Sequence, residues 1–364
     1  MKRIGIDGRL YFQTGVGTYL QNLLFNLHKI IPLDWEVFVY LIKEDFSKID
    51  FAAKNFIKKQ ADFRWHSFKE QLSFCDILKK HNLDLVHFTY FSYPILYPKP
   101  FVSTIHDITP LLFKTGRAST KNIIVYEIKH AFLKTVFNSQ IKKAKNIITP
   151  SKTVKKQLID YYGKEYENKI VPIYEGINQQ LIGKKQNNEL KRKFKKDFII
   201  YIGNYYPHKN VERLICAFSK VKKDVQLILV GPDDYFSKKV FLLIKKLHQE
   251  NRILMYHNAK LSDLVFFYNN ALFLIHPSLS EGFGLPIIEA MHFNLPVVAS
   301  NIDVFKEVLE NQYVSFNPYD ISDIYEKINY AVKDKLSADY SKIIKRYSFK
   351  NMAEETYKIY ESNI

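Results

Sequence analysis

The sequence predicts an α/β protein made of two doubly wound, parallel-sheet halves, and three observations carry that prediction. Short β-branched and aromatic runs alternate with longer stretches of helical periodicity along the whole chain, as expected of strands joined by crossover helices. Several runs are apolar almost throughout, such as Val225-Gln226-Leu227-Ile228-Leu229-Val230-Gly231, which suits strands covered on both faces. The alternation breaks once, between Leu181 and Lys196, where almost nothing is apolar. That break divides 364 residues into two nearly equal parts, each the size of one domain.

In chain order, strands are expected at 4–7, 36–42, 84–90, 102–107 and 146–150, then at 198–203, 225–231, 253–257, 271–276 and 296–300. The domain reading is a first Rossmann-like domain over 1–180, a basic linker at 181–197 and a second domain over 198–345. A terminal helix at 346–364 is expected to pack back on the first domain. Sheets of this kind bind ligands outside the carboxyl ends of their strands, so two of them predict a cleft between the halves. The plainer alternative is a surface loop within one large sheet.

Composition excludes several classes. With 47% apolar residues and 15% aromatics, the chain can bury a sizeable core, so disorder is not its main state. Cys75 and Cys216 are the only cysteines, which rules out a disulfide scaffold and suits a reducing compartment. No apolar run approaches the roughly 18 residues that span a bilayer. The basic opening Met1-Lys2-Arg3 loses its apolar character at Asp7, so it reads as a strand and not a leader. The formal net charge of +17 favours an anionic partner: nucleic acid, anionic lipid or an anionic substrate.

Four places can carry chemistry. Gly15 and Gly17 open a helix after the first strand, where free N–H groups and the helix dipole suit phosphate; equally, the glycines only turn the chain. His106-Asp107 ends a buried strand, placing an imidazole where a sugar hydroxyl or a proton can be handled, or else simply capping the strand. Gly203-Asn204 ends another strand, and Lys209 stands before the next helix, a combination suited to a diphosphate. The strongest signal is Pro277-Ser278-Leu279-Ser280-Glu281-Gly282-Phe283-Gly284-Leu285-Pro286-Ile287-Ile288-Glu289-Ala290. Pro286 is expected at the first helical position, where its missing N–H costs nothing. Two carboxylates eight positions apart, one in the loop and one in the helix, can grip different hydroxyls of one ligand.

Taken in order, Gly15-x-Gly17, Ile105-His106-Asp107, Gly203 with Lys209-Asn210 and Glu281-x7-Glu289 resemble the GT-B glycosyltransferases of family 4, and the resemblance spans nearly the whole chain. It implies the GT-B fold of two facing Rossmann-like domains and retaining transfer from a nucleotide sugar. It also implies roles. Glu289 holds the donor ribose. Glu281, with Gly282, Phe283, Gly284 and Leu285, meets the transferred sugar and the diphosphate. Lys209 neutralises the leaving diphosphate, the Gly15–Gly17 turn closes on the phosphates, and His106 contacts the donor sugar. Asn204 stands where many relatives carry Arg. No D-x-D occurs, so neither a divalent metal nor any other cofactor is expected. The opening Ile-Asp-Gly-Arg and His106-Asp107-Ile108-Thr109-Pro110 further resemble the branch that builds bacterial surface polysaccharides such as lipopolysaccharide, with GDP-mannose the favoured donor and a UDP-sugar the alternative. Other GT-B chemistry, epimerase or phosphorylase, and a basic nucleic-acid-binding protein stand as competing readings.

The charge is localised. Eleven Lys and Arg against the single Glu127 lie between 114 and 156, and seven against the single Glu189 between 184 and 196. Phe113 stands just before the first segment, and Tyr126, Phe132 and Phe137 intersperse it. That pattern predicts docking on anionic lipid, a peripheral place on the inner face of the cytoplasmic membrane, and a lipid-linked or glycan acceptor instead of nucleic acid. Merely solvated helix faces are the plain alternative.

Overall fold

Thirteen strands form two all-parallel sheets in the computed structural model, which describes residues 1–112 and 123–364 apart from Arg64, His66 and Phe68; side chains of 123–126 and 129 are also left undescribed. The first sheet contains β1 (Arg3–Asp7), β2 (Glu36–Leu41), β3 (Phe56–Gln60), β4 (Leu85–Phe88), β5 (Phe101–Thr104), β6 (Ile147–Thr149) and β7 (Ile170–Pro172). Its order is β3-β2-β1-β4-β5-β6-β7. The second contains β8 (Phe198–Ile202), β9 (Gln226–Gly231), β10 (Ile253–His257), β11 (Leu274–His276), β12 (Val297–Ser300) and β13 (Val314–Phe316), ordered β10-β9-β8-β11-β12-β13. In both, the order reverses beside the unit's first strand, at β1/β4 and at β8/β11. These are the crevices where doubly wound sheets take ligands.

The central strands are apolar because helices cover both faces. All five residues of β8 are buried, as are the four of β12. The helices start where the sequence supplies a cap. Ser151 accepts from Val154 N at 3.2 Å, and Asp234 forms a reciprocal capping box with Ser237.

The chain divides into two compact units. One holds Met1–Leu111, the described residues onward to Gly176, and Ser348–Ile364; the other is essentially Ile177–Tyr347. The C-terminal helix Phe349–Glu361 therefore belongs to the first unit. It buries Phe349, Met352, Ala353 and Ile359 and lies against the helix Val16–Ile30. The Tyr360 hydroxyl meets His87 Nδ1 at 2.6 Å, and Asn363 donates to Asn146 Oδ1 at 2.8 Å.

The stretch 181–197, expected as a linker, is lashed to the second unit. Asn187 donates through its backbone to Ser262 O (2.9 Å) and through its side chain to Asp263 Oδ1 (2.8 Å). Leu190 and Phe194 are buried, with Phe194 against Phe198 and Phe267. Every basic residue from Lys184 to Lys196 points to solvent.

Of the expected basic and aromatic flank at 114–156, Phe113 and the first cations lie outside the described residues, as does the Tyr126 side chain. Phe137 is fully buried in the first unit's core and Phe132 packs against that core. These aromatics are therefore core residues and not surface anchors. Lys142, Lys143, Lys145, Lys152 and Lys156 are exposed. Among the described residues, no helix is long and apolar enough to cross a membrane.

Candidate active site

In the second unit, the residues singled out above follow the ends of the switch strands β8 and β11. From β11 the chain runs through Pro277 and Ser278 to Glu281, then enters the helix Leu285–His292 at Gly284. Gly284 has φ 95°, a left-handed conformation that strains any residue with a Cβ. Pro286 occupies the second helical position, one later than expected, because Leu285 begins the helix; Pro is tolerated there for the same reason.

Glu281 Oε1 is a point of convergence. Lys209 Nζ approaches to 2.6 Å and the Ser278 hydroxyl donates at 2.7 Å, while His276 Nε2 stands 3.8 Å away. Ser278 has one proton, spent on Glu281, so its oxygen accepts from His276 Nδ1–H at 3.1 Å. Burial alone would raise the Glu281 carboxyl, but Lys209, with His276, outweighs it and holds the group down to about 2. Burial pushes His276 down to about 4, so it is a neutral donor at neutral pH.

Lys209 is held from behind. Asn210, left-handed at φ 60° and buried, donates to Pro277 O (3.0 Å) and Pro318 O (2.8 Å) and accepts from Arg213 (2.8 Å). Its amide thereby ties the ends of β11 and β13 to the residue beside Lys209. Gly203 follows the last residue of β8, and the Asn204 side chain accepts from Tyr206 N at 3.4 Å, shaping the turn toward Lys209.

Glu289, one turn into its helix, is buried and pushed up to about 7 by that burial, against which the Tyr268 hydroxyl acts by donating to Oε2 at 2.6 Å. Lys209 and Glu281 are thus in contact, whereas Glu289 has a separate partner.

In the first unit, Gly15 precedes the helix Val16–Ile30 at φ 74°. Gly17 is obligatory, because a Cβ there would lie 2.5 Å from Tyr11 O. The amides of Val16 and Gly17 donate within their own turn, to Thr14 O and Gln13 O. Tyr19 on that helix sets its ring edge-on to His106, 4.7 Å between centroids. Both His106 nitrogens are engaged in this structure: Nε2–H donates to Thr89 O at 3.0 Å, and Nδ1 lies 3.3 Å from Glu175 Oε1. A sugar contact by His106 therefore requires one of these bonds to be exchanged. Asp107 accepts from Thr109 N at 2.7 Å, capping the turn. His87 is sealed between Tyr360 and Thr104 and pressed down to about 3 by burial.

Sequence reasoning gave no role to Tyr268, His276 or Glu175, and read Ser278 only as part of the run leading to Glu281. His276 was legible only as a strand end. Tyr268 and Glu175 had no signal, since each acts through a partner the fold supplies.

Comparison with known proteins bears on the family and the fold. Residues 14–181 match the family model for glycosyltransferase family 4, and 183–351 that for glycosyl transferases group 1. The O-antigen chain mannosyltransferase RfbU of Salmonella typhimurium is 27% identical over 97% of this chain and 96% of its own length. The serotype-specific mannosyltransferase WbdA of Escherichia coli is 25% identical over 65% of this chain and 30% of its own. Among solved structures, Anabaena HepE in complex with UDP and glucose superposes over the whole of both chains with TM-score 0.75 at 18% identity. WaaG, a glycosyltransferase involved in lipopolysaccharide biosynthesis, gives 0.72 at 15% over 98% of this chain and 99% of its own.

Proposed function

The chain belongs to the group 1, family 4 glycosyltransferases of GT-B fold, and from that premise we propose that it transfers mannose from GDP-mannose, with retention, to a glycan or lipid-linked glycan of a bacterial surface polysaccharide. The observation that carries the site assignment is the meeting of the Lys209 ammonium and the Ser278 hydroxyl on one oxygen of Glu281 at the end of β11. Support for the donor comes from RfbU and WbdA, both described as mannosyltransferases.

In this reading Glu289 accepts from the ribose hydroxyls, and Glu281 accepts from the sugar through the oxygen that Lys209 does not hold. As the glycosyl–phosphate bond breaks, its electron pair passes to the diphosphate. Lys209 and the amides of the loop from Gly282 to Leu285, at the positive end of a helix, stabilise that charge without reorganising. The acceptor hydroxyl attacks the same face, and its proton goes to the departing phosphate oxygen. Gly15, Gly17 and His106 are assigned to phosphate and sugar contacts on the family resemblance.

The test is transfer from GDP-mannose and from UDP-glucose to a lipid-linked acceptor, with the product anomer read by NMR. GDP-mannose is expected to be used, with the α configuration kept and activity undiminished by chelator. Exclusive use of UDP-glucose, an inverted product or a strict magnesium requirement would each refute the corresponding part.

The exposed lysines from Lys142 to Lys156 are proposed to dock on anionic membrane, at ~1 kcal/mol per surface-proximal cation. Co-sedimentation with vesicles is expected to rise with phosphatidylglycerol content and to fall at high salt. Binding indifferent to lipid charge would remove this membrane role.

A further inference from the structure

Two carboxylates define the donor site, and the partners of Glu281 form its ion-pair chemistry. Glu289 differs. Its bond comes from Tyr268, a residue assigned no role so far, located in the last turn of the helix Leu261–Asn270. The phenol hydroxyl donates to Glu289 Oε2 at 2.6 Å, and Tyr268 is 1% exposed. Its ring cannot drift. It stacks on Phe293 with centroids 5.4 Å apart and planes 6° from parallel, and Phe293 closes the same helix that carries Glu289. Tyr268 therefore grips that helix twice, by its ring at the C-terminal end and by its hydroxyl in the middle. Oε1 takes no part in the bond.

We propose that Tyr268 is the positioning residue of the donor site, pinning Oε2 so that Oε1 is presented to the ribose diol and the site selects ribonucleotides. The proposal rests on the reading of Glu289 as the ribose holder. A carboxylate on a freely rotating side chain would sample several rotamers and lose strength toward any one pair of hydroxyls. A phenol with two torsions, clamped by stacking, removes that freedom at little entropic cost. The bond is charge-assisted, the stronger kind of hydrogen bond. A purely structural role would satisfy a buried carboxylate equally well but would not care whether the ligand carries hydroxyls.

The experiment is a calorimetric titration of wild type, Tyr268→Phe and Glu289→Gln with GDP and with 2′,3′-dideoxy-GDP, or with the uridine pair if the wild type prefers it. Tyr268→Phe is expected to weaken GDP binding about tenfold, as loss of a hydrogen bond to a charged group does, and to leave the dideoxy ligand within twofold. Equal weakening of both ligands, or of neither, overturns the proposal. Glu289→Gln separates the two levels: if its effect too is equal on GDP and on the dideoxy ligand, so that the wild-type preference for GDP survives, the ribose assignment itself falls. Should Tyr268→Phe melt without cooperativity, Phe293→Leu loosens the ring but keeps the hydroxyl. It is expected to show the same discrimination in smaller measure, and its absence counts equally against the proposal.

Discussion

Glu281→Gln is expected to lower turnover about a hundredfold or more while leaving nucleoside diphosphate binding intact or tighter. The two effects have opposite signs because Glu281 does two things. Its Oε1 neutralises Lys209 at 2.6 Å in a setting where the lysine side chain is 16% exposed. Held at about 2, the carboxylate carries its charge throughout the working range. Glutamine has nearly the same shape and still accepts from Ser278, but it returns the full ammonium charge to the site. An incoming diphosphate then meets a cation it no longer shares. What is lost is the negative carboxylate facing the sugar, where positive charge develops as the glycosyl bond breaks. Turnover and the dissociation constant of GDP, measured on the same cooperative-melting sample, decide the matter. Unchanged turnover would remove Glu281 from the site. Loss of GDP binding in step with turnover would mean that it only holds Lys209 in place.

The strands legible in the sequence are the ones covered on both faces. β8, β9 and β12 read as apolar runs because their central residues are buried. Those that went unread, β3, β7 and β13, all lie at sheet edges. β3 is Phe-Ile-Lys-Lys-Gln, with its last residue exposed, and lysines on an edge strand deter pairing with another chain. β7 and β13 are three residues long and only partly buried, unlike the equally short β6 and β11, which are buried throughout and apolar enough to read. β10, also at an edge, was legible only because Ile-Leu-Met-Tyr keeps an apolar run.

The same distinction runs through the site. Glu281, Lys209 and Glu289 stood out because glycines and a proline frame them locally. Tyr268 lies 21 residues before its partner, on what reads as an ordinary helix face, so only the fold gives it meaning. Each carboxylate of the pair has one oxygen held by the protein, Oε1 of Glu281 by Lys209 and Ser278 and Oε2 of Glu289 by Tyr268. The local motif supplies the carboxylates, and long-range packing aims them.

Donor affinity is expected to fall about tenfold between pH 8 and pH 6, while the ligand-free protein gains stability over the same interval. Both follow from Glu289, whose carboxyl burial lifts from the ordinary 4.5 to about 7, Tyr268 opposing. Ribose hydroxyls donate to the ionised form, so affinity follows its population, dropping through the folded value near 7. For stability the sign reverses. The folded state binds the proton more readily than the unfolded chain, so the cost of burying the charge is complete above pH 7 and disappears toward pH 4.5. At most about 3 kcal/mol is at stake. Glu281 at about 2 and His276 at about 4 do not titrate in the window. GDP-mannose is the right ligand, since its diester phosphates do not titrate there either. Glu289→Gln, which still accepts from Tyr268, is expected to flatten the affinity profile and to melt at higher temperature than wild type at pH 8, with the difference shrinking toward pH 5. An affinity slope that survives in Glu289→Gln would assign the titration to another group. A variant less stable than wild type at pH 8 would show that the buried charge costs the fold nothing.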